Sequence, residues 1–171
     1  MDALTQAQSA RNWLERLGQK IPGYAGFADR ELRREVDRQL REHLSKEVAR
    51  LRDRVREKIA EFVDGGKIGE LQSFDRLDKG LDGLSQAIRF ADYGASGLFD
   101  AVKIGEAELG RIYEFDLSIV TDLADLELAV TALPGPGSGD PRAAVDALRA
   151  SLGALQEKWA GRERVISSVV G

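Results

Sequence analysis

Cysteine is absent from this chain of 171 residues, and histidine occurs once. Without thiols there is no disulfide, thiolate nucleophile or thiolate metal site, which fits a reducing compartment. With His43 alone, a Ser-His-Asp triad has only one place to be built. Carboxylate-bridged metal centres in helical bundles use Glu-x-x-His on facing helices, and no acid stands three positions before His43. The expectation is therefore no catalytic set, no metal and no cofactor, and His43 is read as a surface residue. Long apolar runs are missing too. Nothing reaches the roughly 18 residues that a membrane span needs, and MDALTQAQSARNWLERLGQK carries charges where a signal peptide has its apolar core. A cytoplasmic protein is expected.

Only four prolines interrupt the chain, and strand-forming residues are scarce. With 43% hydrophobic and 32% charged residues, rich in Leu, Ala, Glu and Arg, the composition favours long helices. The length suits one domain that needs no staple. The formal charge of −4 gives the whole molecule no general attraction for nucleic acid or acidic membranes.

Apolar spacing predicts five helices over approximately 3–18, 29–63, 68–93, 100–133 and 141–168. The first carries Leu4, Ala7, Ala10, Trp13, Leu14 and Leu17. IPGYAGF follows as a loop, in which Pro22, Gly23 and Gly26 break regular structure, and Asp29 is expected to cap the next helix. That second helix shows one narrow stripe: Leu32, Val36, Leu40, Leu44, Val48, Leu51, Val55, Ile59 and Phe62. At 1.5 Å per residue it is a rod on the order of 50 Å long. DGG at 64–66 ends it.

The third helix repeats close to a heptad from Leu71 to Ala95, with a second row of small residues at Gly83, Ala87, Ala91 and Ala95. GASG at 94–97 is read as a kink or interruption. The fourth carries Leu109, Ile112, Tyr113, Ile119, Val120, Leu123, Leu126 and Val130, with eight acids and two bases over residues 100–133. Asp116 falls where its inner stripe wants an apolar residue, so it needs a partner, and an arginine of the second helix is the expected one. PGPGSGDP links to the last helix, with Asp140 as cap and Pro141 at the first helical position. There Val145, Leu148, Leu152, Leu155, Trp159 and Ile166 form a heptad seam flanked by Ala143, Ala147, Ala150 and Ala154. The fold class is all-α: an antiparallel four-helix bundle of long helices with an additional short N-terminal helix, in a single domain.

Two glycine-rich stretches, GGKIGE at 65–70 and GPGSGD at 135–140, lack the spacing and the preceding strand of a phosphate loop and read as helix–helix turns. Residues 29–58 hold eleven Lys or Arg and eight Asp or Glu. Arg30, Arg34, Arg38 and Arg41 advance by four, four and three, so they share a helical face able to hold phosphates of nucleic acid or of a membrane surface. Acids interleave with them, and no aromatic residues stand between them to stack bases. Tyr24 and Phe27 are either an exposed docking point or a cover folded over the bundle end.

The expected function is that of a non-enzymatic interaction or scaffold protein. It binds a protein partner or its own copies through long helix faces, in coiled-coil fashion, without a small-molecule substrate. The alternative is an anion-binding module built on the arginine row. Candidate partner-binding residues are Tyr24, Phe27, Arg30, Arg34, Arg38 and Arg41.

Overall fold

A computed structural model describes residues 3–27, 29, 32–91 and 104–170. Arg30, the GASG segment at 94–97 and the expected helix start at 100–103 lie outside the described residues.

Among the described residues the chain is helical, without strands. Five α helices follow one another: α1 (Ala3–Lys20), α2 (Arg33–Asp64), α3 (Leu71–Arg89), α4 (Glu106–Thr131) and α5 (Arg142–Val170), with a short 3₁₀ turn at Ile68–Glu70 before α3. One hydrophobic cluster draws side chains from all five. α2 packs on α3 and α4, α5 packs on the same two helices, and α1 lies chiefly along α4.

Contacts run in opposite order along α2 and α3, where Phe62 meets Phe74 and Arg52 reaches Asp78 and Asp82. They also run in opposite order along α4 and α5, where Asp116 meets Arg162 and Asp122 meets Lys158. Along the loop before α2 and α2 itself the order against α4 is the same, Phe27 of the loop touching Tyr113 and Arg54 of α2 pairing with Glu127 further along. Apart from the buried Asp116–Arg162 pair, such exposed or half-exposed bridges are worth about 0–1 kcal/mol each. Their value lies in fixing which residue faces which.

The apolar stripes fill the interior nearly as the spacing predicts. In α2, Val36, Leu40, Leu44, Val48, Leu51, Val55 and Phe62 are buried, and in α3 Phe74, Leu77, Leu81, Leu84 and Ile88. The start of α2 differs from expectation. Asp29 lies four residues before the first helical position, Arg33, and Leu32 takes the cap position with no side-chain bond. The Asp29 backbone carbonyl instead accepts the Leu32 N–H at 3.2 Å. Leu32 is 45% exposed while Arg33 is buried, because Arg33 Nε donates to the Phe27 carbonyl at 2.8 Å. An arginine thus satisfies a loop carbonyl that a leucine would have left without a donor. Ahead of α5 the capping expectation fits better: Asp140 Oδ1 accepts the Arg142 N–H at 3.0 Å, and the Pro141 carbonyl accepts from Val145 at 2.9 Å.

The IPGYAGF loop is an interior element. Tyr24 and Phe27 are buried, Phe27 completely, and Phe27 stacks on Tyr113 with ring centres 6.0 Å apart. The Tyr113 hydroxyl accepts the Phe27 N–H at 2.6 Å. Gly26 makes this packing accessible, with φ at +79°; a Cβ there would lie 2.6 Å from both the Tyr113 hydroxyl and Leu14 Cδ1. Gly26→Ala is expected to lose about 2–4 kcal/mol, from the left-handed backbone penalty plus overpacking. The check is the urea midpoint at unchanged slope. Gly23→Ala, with similar φ but open space around the Cβ, should lose only the backbone part.

Candidate functional site

The residues that carry charge into the interior come from three helices. Asp116 on α4 is 1% exposed and Arg162 on α5 is 5% exposed. Arg162 donates from Nε to Asp116 Oδ1 at 2.7 Å and from Nη2 to Oδ2 at 3.0 Å, a forked pair, while its Nη1 donates to Asp37 Oδ1 at 2.7 Å. Asp37 Oδ2 in turn accepts from Arg41 Nε at 2.9 Å. The partner of Asp116 is therefore on the last helix rather than the second, which contributes the carboxylate of Asp37 instead. The reason is reach: α5 packs directly on α4 along this stretch, and Arg162 occupies the seam position between Trp159 and Ile166.

Burial works against the charge of Arg162, and the carboxylates of Asp116 and Asp37 outweigh it, holding the guanidinium above its usual range. On Asp116, burial pushes the carboxyl upward and the Arg162 guanidinium opposes it. The Arg162 guanidinium also lies 5.4 Å from the centre of the Trp159 ring. Tyr24 stands near this network with its hydroxyl buried and without a hydrogen-bond partner among the described residues; burial, then the Asp116 charge, raises its pKa. Both faces of Arg162 are satisfied, so the network's role is to fix α2, α4 and α5 against each other.

Arg162 and Asp37 also form one wall of a cleft of about 380 Å³ between α3 and α5, lined further by Gly83, Ala87, Ala91 and Trp159. Its shape follows from where small residues fall. At Gly80 the two helices touch: a Cβ there would sit 2.8 Å from Leu152 Cδ2, and Gln156 Nε2 donates to the Gly80 carbonyl at 3.0 Å. Beyond it Gly83 and Ala87 are exposed and Ala91 is half-buried. The row of small residues on α3 thus stays open and is not consumed by packing between helices. On α5, Ala143, Ala147, Ala150 and Ala154 are likewise exposed.

Of the six residues singled out in the sequence, the structure divides the aromatic pair from the arginines. Tyr24 and Phe27 are in the core, so an exposed docking point there is corrected: the loop folds inward because burying two rings against Tyr113 recovers apolar area that solvent would waste. Arg30 lies outside the described residues. Arg34 is exposed at the start of α2. Arg38 is bound on both sides, to Glu35 at 2.8 Å and to Glu42 at 3.1 Å, and Arg41 leans inward onto Asp37. His43 is half-buried beside Gln39 and Glu47 in a groove between α2 and α4, and burial lowers its pKa. Its reading as a plain surface residue is corrected to that extent.

Arg162 was not marked in the sequence, although the 3,4 spacing of Leu155, Trp159 and Ile166 passes through it. That spacing was the available signal. Among the described residues no cluster of three or more His, Cys, Asp or Glu lies close enough together to hold a metal ion, and no helix is long and apolar enough to cross a membrane. Comparison with protein-family models, with curated proteins and with solved structures finds no match to this chain.

Proposed function

We propose that the protein is a non-enzymatic helical interaction protein that receives an amphipathic helix of a protein partner in the cleft between α3 and α5. The observation that carries this reading is the open row of Gly83, Ala87 and Ala91 facing Trp159, Ala160 and Ile166. Small residues allow close approach of a helix backbone. Leu84, Trp159 and Ile166 offer an apolar floor, and Arg41, Gln156 and Glu163 offer a polar margin. Those are the requirements for docking a helix by side chains spaced three and four apart. In the arrangement we propose, α2 with α3 and α4 with α5 are two antiparallel hairpins lying side by side as a four-helix bundle, with α1 added along α4. The order of the contacts along each pair supports it.

The absence of cysteine supplies the test, since an introduced thiol is unique. A photo-crosslinker on Ala87→Cys is expected to capture one defined protein, or a second copy of this chain. The adduct should vanish when Gly83→Arg is added, and should not form from Lys79→Cys on the same helix. Equal capture from both thiols, or capture unaffected by Gly83→Arg in a variant whose circular dichroism is unchanged, refutes the groove. Sedimentation at rising concentration separates a second copy from another partner.

A further inference from the structure

A second groove lies between α2 and α3 and shares Arg41 with the wall of the partner cleft. It measures about 670 Å³ and is lined by Arg38, Arg41, Lys46, Arg89, Ser85 and Phe90 among others, with Glu42 the one carboxylate among its described lining residues. The antiparallel order of contacts along α2 and α3 brings the α3 end, with Arg89, beside the first third of α2. The cations are not equivalent. Arg38 and Arg41 are already engaged by Glu35, Glu42 and Asp37. Lys46 and Arg89 have no ion pair among the described residues and are both exposed. Next to them Phe90 leaves 69% of its surface in solvent, with the Arg89 guanidinium 5.6 Å from its ring centre. Two cations with donors to spare, hydroxyls at Ser45 and Ser85, and one solvent-facing aromatic ring are the parts that recognise a phosphate attached to a flat base.

We propose that this groove binds a mononucleotide, its phosphates on Lys46 and Arg89 and its base against Phe90. The size favours a single nucleotide over a strand: the volume is within the range of about 300–1,000 Å³ typical of small-ligand sites. Among the described lining residues one ring is exposed, a stacking platform for one base. This places the phosphate-binding capacity of α2 at the far end of the arginine row, beyond Arg38 and Arg41, where the α3 end adds a further cation and an aromatic ring.

Calorimetric titration of the full chain with ADP, inorganic pyrophosphate and adenosine at low salt tests the assignment. ADP is expected to bind with a dissociation constant in the micromolar to millimolar range, about tenfold tighter than pyrophosphate because of the stacking contribution. Lys46→Gln with Arg89→Gln should weaken ADP by at least about tenfold, and Phe90→Ala should bring ADP to the level of pyrophosphate. All three side chains are exposed, so the variants keep the fold, which circular dichroism verifies. No ADP binding at millimolar concentration overturns the proposal. So does ADP binding indifferent to Phe90→Ala, or indifferent to the Lys46/Arg89 pair. An oligonucleotide whose affinity climbs with each added residue would replace the mononucleotide by a single strand. None of these results bears on crosslinking at Ala87, so the two sites fail or stand separately.

Discussion

Arg162→Ala is expected to lower stability by about 3–5 kcal/mol, because it strands the carboxylate of Asp116 in the interior. The same figure follows from proton linkage. With the guanidinium gone, burial and then the Asp37 charge both push Asp116 upward, and protonating a carboxyl of ordinary pKa 3.8 at pH 7 costs about 4 kcal/mol. The sign of the pH dependence is then determined. In the variant the folded pKa of Asp116 lies above its unfolded value, so the associated stability is present below the unfolded pKa and lost as pH rises through the folded one. The deficit against the native protein should be smallest in acid and grow towards neutrality. Urea unfolding at pH 4 and pH 7 reads it, and an equal deficit at both values contradicts the account. Removing the pair together, as Asp116→Leu with Arg162→Met, should recover most of the loss, since apolar residues of similar volume satisfy the site without any charge. Asp37 keeps Arg41 in that variant.

Phe27→Ala should cost about 3–5 kcal/mol, the range for deleting a fully buried aromatic side chain. Phe27 is 0% exposed and lies between Tyr24, edge-on at 6.1 Å, and Tyr113, stacked at 6.0 Å. The cavity would open where the loop joins the core, between α1 and the start of α2, where collapse of a single side chain does not fill it. Tyr113→Phe separates the packing from the hydrogen bond. It keeps the ring and removes the acceptor of the Phe27 N–H, and about 1–3 kcal/mol is the expected cost of leaving that donor unsatisfied. Chemical denaturation of the two single variants and the double variant measures their coupling. Additivity would mean that the loop is held by something other than the Tyr113 contact.

Much of the interior was readable in advance because a helix has one period. Every third or fourth residue shares a face, so the stripe from Val36 to Phe62, the run from Phe74 to Ile88 and the seam from Val145 to Ile166 announced which side would be covered. The failures occur where that period stops or where a charged residue sits within it. Leu32 belongs to the spacing of α2 but precedes its first turn, and Arg33 is drawn inward by the Phe27 carbonyl. The IPGYAGF loop has no period, so spacing could not tell an exposed ring from a buried one. For the candidate sites, Arg38 and Arg41 were visible as members of a row, but the row gave no sign that Glu35, Glu42 and Asp37 engage them. Lys46 lies on α2, and Arg89 and Phe90 at the end of α3, more than forty positions further along the chain.

The sequence by itself determined the helices, their buried faces and the exclusions that follow from having no cysteine and one histidine, since each depends on local spacing or on composition. Which helix lies beside which was decided only in three dimensions. The choice of Arg162 over an α2 arginine for Asp116, the opening of α3 beyond Gly80, and the meeting of Arg89 with Lys46 all depend on that pairing. Stripes of similar width and greasiness can pack in several orders, and the energy that selects one order resides in contacts between residues far apart in the chain.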